Sequence, residues 1–460
     1  MTAAVLALIA VQQQAAPAAP AAPDTGRTGR PCRVAIDSVG GTGSQQQVGA
    51  GRRGREPLYN YFAGGGVWAH CEGTTSSLTA DSVAWYALEQ RLDLVGSVRI
   101  RDDIMHLDAA TMRYFTKDER LEAYRDVVAV NRRTGTALKG PNLVYLRAAQ
   151  GVRDTTEMFA SSRPTIDYRA AGDSGEPYVI VADRVRMKGD TRMWGGGAVT
   201  VDRSDLAARA DSMMMDDAAG AGLLVGQPRV AGKGERAYTL TGARIELEID
   251  SSEVRVVKAL HRAEATGADW RLVADTIHLL LADRRLQQTL AWGDSLRPRA
   301  VSSQQTVEAD SLVLDTPREV LTELRAFGRA LSTARRDTTA AADVDWIAGD
   351  TLVAKFVQAP DTARGGTKSE VRQIVAHGSA RALTHLYQRG EDSAGSPNGR
   401  GEPGAPPAPP DINYSRGTSI EVTLKGDRID RVTVAGRADG VHLERRPPAP
   451  PASDTTKASP

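Results

Sequence analysis

Large rings are scarce in this chain of 460 residues: 5 Phe, 6 Trp and 11 Tyr make up only 5% of it. Yet 41% of the residues are hydrophobic and 44 are Gly. A core rich in Val, Leu and Ala but short of aromatic bulk suits many thin strands better than a few thick helices. Cysteine is scarcer still, at 2, too few for a structural zinc site with four ligands. Neither sign of charge dominates, with 58 Lys and Arg against 57 Asp and Glu. That balance argues against nucleic acid as a partner, since its recognition needs a concentrated basic surface. No run of 18 apolar residues occurs, so no transmembrane helix is expected. A phosphate-cradling GxxxxGK[ST] loop is missing too, which removes ATP-driven work by this chain alone.

What is present begins with the ends. Met1 to Val11 is a short apolar run, followed by Gln12-Gln13-Gln14 and an Ala/Pro stretch to Pro23. Residues 1–23 have the form of a signal peptide, although no basic residue precedes Arg27. The alternative is an ordinary Ala/Pro tail. With export, Cys32 and Cys71 are expected to form one disulfide, worth ~3–4 kcal/mol for a loop of about 40 residues. Without it they are two unrelated thiols. A Pro/Gly-rich linker spans 387–411, a β segment returns over 412–445, and 446–460 is a disordered tail.

The body between these ends repeats itself. One element is small–Asp–Ser/Thr–apolar–x–apolar: Ala80-Asp81-Ser82-Val83-Ala84-Trp85, Ala182-Asp183-Arg184-Val185-Arg186-Met187 and Ala210-Asp211-Ser212-Met213-Met214-Met215. It returns at Ala274-Asp275-Thr276-Ile277-His278-Leu279, Ala309-Asp310-Ser311-Leu312-Val313-Leu314 and Gly349-Asp350-Thr351-Leu352-Val353-Ala354. A second element, Gly among small or apolar residues, falls between the copies: Val95-Gly96-Ser97, Gly196-Gly197-Ala198, Trp292-Gly293, Phe327-Gly328-Arg329 and His377-Gly378-Ser379. Residues two and four after each Asp share a strand face, and Leu92, Leu94, Val98 and Ile100 share one as well. A recurrent Gly inside a strand marks a bend or bulge. Each unit therefore reads as strand, turn, strand, and units must stack to bury their apolar faces. Eight or nine of them at a strand spacing of roughly 4.8 Å give a body ~40 Å long.

The run Leu78 to Tyr86, followed by Leu92 to Asp102, Leu107 to Tyr114 and Glu119 to Val130, resembles the OstA-like family (organic solvent tolerance N-terminal domain). That family includes the lipopolysaccharide-transport periplasmic bridge proteins. The resemblance is best over about residues 60–150, looser to 385, and returns over 419–445. It implies an all-β fold, an elongated open β-jellyroll or solenoid-like stack of two-stranded repeats, with an OstA-like segment at 24–150 continuing over 151–386. It also implies a periplasmic, non-enzymatic protein without cofactor or metal, whose partners are the acyl chains of a lipid A-type glycolipid. End-to-end β-augmentation with itself or with other transport components is expected. The groove would be lined by Val83, Trp85, Leu92, Leu94, Val98, Ile100, Met112, Val185, Met187, Met213, Met215, Ile277, Leu279, Leu312 and Leu314. This chain is longer than the bridge proteins and lacks the β-barrel half of the outer-membrane member.

Two other classes remain. A cell-envelope β-solenoid with a filled core and no ligand fits the same repeat. A chymotrypsin-like protease would use His70, Asp103 and Ser174, but Glu176 stands where a second Gly follows the usual Ser-Gly pair, and the intervals are tight for two barrels.

Overall fold

The computed structural model describes residues 34–49, 57–149, 151–169, 175–233, 237–250, 253–268, 270–302, 305–335, 344–360, 367–386, 410–426 and 428–444. The expected signal segment 1–23, most of the linker and the 446–460 tail lie outside them. The described residues form one antiparallel 30-stranded sheet. A 3₁₀ turn at Pro317–Glu319 is the only helical element among them. No helix there is long and apolar enough to cross a membrane.

The first strands set the pattern: β1 (Val34–Val39), β2 (Gly43–Gly49), β3 (Leu58–Cys71), β4 (Ser77–Tyr86), β5 (Arg91–Arg101), β6 (Met105–Phe115), β7 (Arg120–Asn131) and β8 (Ala137–Leu146). The long ones bend in the middle. Between β5 and β6 the register jumps from Val95↔Thr111 to Val98↔Ala109. Residues on the Val95 side of the jump belong to one half-sheet, and those on the Val98 side to a second. Further along some rungs divide into two strands. Glu157–Ser161 continues the first half-sheet from β8, while Thr165–Tyr168 continues the second. Arg192–Asp202 then runs through both again, pairing with Arg184–Lys188 and with Tyr178–Val181. The segment after the linker rejoins the same sheet, since Asp411–Lys425 pairs with Thr367–Leu386.

The bend explains the repeat. Gly96 and Ser97 both have positive φ (80° and 46°), a conformation that turns the strand and leaves no room for Cβ at the first position. A Cβ on Gly96 would run into the Asp81 carboxylate of the neighbouring strand. The same juxtaposition joins Gly197 to Asp183, Gly226 to Asp211, Gly293 to Asp275, Gly328 to Asp310 and Gly378 to Asp350. The backbone N–H groups of Asp183, Asp211 and Asp310 also donate to the carbonyls of Gly197, Gly226 and Gly328. At Asp275 the carboxylate accepts the N–H groups of Ser295 (2.8 Å) and Leu296 (2.9 Å). The recurring Asp and the recurring Gly are thus two halves of one corner.

Folding the half-sheets toward each other buries a continuous core between their inner faces. Leu94, Met112, Met193, Ile245 and Ile277 come from one side, and Val98, Leu107, Ile166, Ile180 and Leu240 from the other. About twenty rungs follow one another along the pairing, so the body is ~100 Å long at a spacing of roughly 4.8 Å. That is more than twice the sequence expectation, because every repeat unit supplies two rungs.

Candidate functional site

The core is complete along most of the body and hollow at its beginning. Between the inner faces of β1 to β5 lies a chamber of about 840 Å³. Val34, Ile36, Val39, Val67, Ala69 and Leu78 wall it on the second half-sheet, and Phe62, Ala63, Val83, Trp85 and Leu92 on the first. Polar groups gather at one rim, where Ser44, Gln45, Gln90, Thr116 and Lys117 face in. Lys117 is the one charged residue of the lining.

Local sequence accounts for the hollow. The end rung divides: β1 pairs with 67–71 of β3 and β2 with 58–63. Their junction, Gly40-Gly41, packs backbone to backbone on Gly64-Gly65, where a side chain at Gly40, Gly41 or Gly65 would clash. Ala63, Ala69 and Gly43 project little into the gap, so opposing faces do not meet. From Leu94 onward the inward positions carry Leu, Ile, Met and Tyr, and the faces interlock.

The chamber narrows into a recess of about 50 Å³ that shares Val34, Leu78 and Leu92 with it. Met105, Leu107, Tyr114, Leu121 and Tyr145 floor this recess, with Asp102 and Arg147 at its rims. Glu119 is buried there, 4% exposed, and accepts the Tyr114 hydroxyl at 2.5 Å. Burial, then the charge and hydrogen bond of Glu119, push the Tyr114 phenol well above its usual range. Burial and the Asp102 carboxylate do the same to Tyr145. For Arg147 burial acts to lower its pKa, but Tyr114, Glu119, Asp102 and Tyr145 outweigh it and hold the guanidinium charged. A polar cluster thus borders the recess.

The expected lining residues divide accordingly. Val83, Trp85 and Leu92 face the chamber, and Ile100 faces the recess. Leu94, Val98, Met112, Val185, Met187, Met213, Ile277, Leu279, Leu312 and Leu314 are buried against opposing side chains, and Met215 packs partly buried on the same core. All of these project inward; among the described residues the apolar strip opens into the chamber over β1 to β5, and downstream the facing side chains are large enough to meet. Sequence reasoning missed Val34, Ile36 and Val39, which precede the first copy of the repeat; alternation in Val34-Ala35-Ile36 was the available signal. Lys117 was not among the expected lining residues.

Other expected groups fall elsewhere. His70 Nδ1 lies 2.7 Å from Asp37, while Asp103 accepts the Thr75 hydroxyl at 2.6 Å. Ser174 lies outside the described residues. Of the Cys32–Cys71 pair, Cys32 is also outside them, and Cys71, closing β3, is not a free thiol.

No protein-family model matches the chain, and no curated protein matches it. Among solved structures it is similar to LptH, described as the LptA homologous periplasmic component of the conserved lipopolysaccharide transport device from Pseudomonas aeruginosa. The identity is 18%, the TM-score 0.22, and the match covers 31% of this chain and 97% of that one. At that score the likeness carries no argument; the all-β, doubly faced architecture stands on the strand pairing itself.

Proposed function

We propose that this chain is a non-enzymatic cell-envelope protein of OstA-like type that shelters acyl chains of a lipopolysaccharide-type lipid. The observation behind the reading is the apolar chamber of about 840 Å³ at the start of the stack. Its size lies in the range of small-molecule sites, about 300–1,000 Å³. A twelve-carbon chain desolvated there gains ~10 kcal/mol gross, at about 0.8 kcal/mol per CH₂. Part of that is lost to immobilising the ligand. The reading includes periplasmic location and strand addition at the ends, where β1 and β2 pair on one side only among the described residues.

The test is displacement of a fluorescent apolar probe, N-phenylnaphthylamine, from the purified chain by lipid A. Saturable displacement is expected. A chain that takes up neither probe nor lipid A would sink the proposal. A second reading, a rigid cell-envelope strut without ligand, is favoured by the filled interior from Leu94 to Val422. The two differ in whether lipid copurifies.

A further inference from the structure

The outer face of the first half-sheet carries a row of side chains that the chamber does not use. Across paired strands, the last residue before each bend runs Thr276, Trp292, Ser311, Phe327, Thr351, His377. Rings occupy every second strand and hydroxyls the strands between. Trp292 and Phe327 are 39% and 40% exposed, and His377 is exposed as well. The His278 ring stands edge-on to Trp292, 4.5 Å between centroids, and widens the platform. Alternate strands lie roughly 9.6 Å apart, so the rings recur at that pitch.

Around Ser311 and Phe327 the charges answer one another. Asp310 is held by Arg297 (3.2 Å) and Arg329 (2.8 Å), and Arg325 by Asp315 (2.7 Å). A partner that recognises the row therefore needs flat apolar surfaces and hydroxyls more than charge. We propose that it binds an extended, uncharged β-1,4-linked glycan. The two-sugar repeat of such a chain matches the two-strand pitch of the rings. Trp292, Phe327 and His377 stack on the C–H faces of alternate sugars, while Ser311 and Thr351 hydrogen-bond the hydroxyls of those between.

A purely structural role would have the rings merely cover the glycine bends beside them, Gly293 and Gly328. Trp292→Leu and Phe327→Leu keep an apolar cover and remove the flat ring. The experiment is calorimetric titration of the full chain with N-acetylglucosamine hexamer and dimer. The hexamer is expected to bind, the dimer at least tenfold more weakly because it reaches a single ring, and each Leu variant to lose about tenfold. The double variant Ser311→Ala/Thr351→Ala, which leaves the rings in place, is expected to weaken binding several-fold. Absence of hexamer binding, equal affinity for the dimer, or unchanged affinity in folded Leu variants would each overturn the proposal. None of these outcomes depends on whether the chamber holds lipid.

Discussion

A side chain enlarged inside the chamber should behave differently from the same enlargement in the filled body. Ala69 and Ala259 are both almost fully buried, 1% and 0% exposed, and both face inward. Ala69 borders the 840 Å³ chamber, whereas Ala259 pairs between Ile245 and Ile277 in the closed core. Ala259→Leu forces three methylene-sized groups into packed space, a change that typically costs about 1–3 kcal/mol. Ala69→Leu places the same groups in a void, gains ~25 cal/mol for each Å² of apolar surface it shields, and is expected to cost nothing or to stabilise slightly. It also narrows the chamber, so probe binding should fall by about tenfold or more. Because a stacked repeat loses structure rung by rung, hydrogen exchange resolved by peptide reads each site separately. Protection should drop around 253–282 in Ala259→Leu and hold around 58–86 in Ala69→Leu. Equal loss of protection in both variants, or probe binding untouched by Ala69→Leu, would refute the claim that the interior is hollow at one end and filled beyond it.

Three further outcomes are expected. Gly96→Ala sets a side chain at φ 80° against Asp81 and should destabilise the adjoining rungs by ~1–3 kcal/mol; pairing it with Asp81→Ser should recover part of that loss in a double-mutant cycle, and strictly additive effects would contradict the corner described above. Burial raises the phenol pKa of Tyr114, Tyr145, Tyr168 and Tyr238, with nearby carboxylates adding to it; the unfolded chain then sheds its phenolic protons first, so stability is full below about pH 10 and declines above it. Thermal melts between pH 8 and 11 read this, and Tyr145→Phe should flatten the decline. Arg203, 4% exposed, grips Asp205 at 2.6 and 2.7 Å and stacks 4.0 Å over the Tyr178 ring; Arg203→Met removes both hydrogen bonds to that partly buried carboxylate and should cost ~1–3 kcal/mol in urea unfolding.

The fold was legible because its corner is written in two residue types that face each other. Asp81 and Gly96 are 15 positions apart in the chain, yet each needs the other, so the pattern returns wherever the corner does. Inward parity was equally legible, since Leu92, Leu94 and Val98 hold one face through the bend. The chamber was not. It exists because the paired Gly43 and Ala63 on one half-sheet and Ala69 on the other are all small, and smallness on one strand says nothing until its counterpart is known. The division of rungs after β8 was hidden for a similar reason: Thr165–Tyr168 and Tyr178–Val181 are four-residue strands without an Asp start, held by their neighbours on both sides.

The Asp–Gly corner also makes length an adjustable quantity. Each rung is hydrogen-bonded only to the rung before and the rung after it, so a duplicated strand pair can be spliced in without disturbing distant neighbours. Every such insertion extends the body by about 9.6 Å and leaves both ends, chamber included, as they were. The molecule is in that sense a ruler with fixed graduations, able to match a gap of new width by gene duplication rather than by redesign.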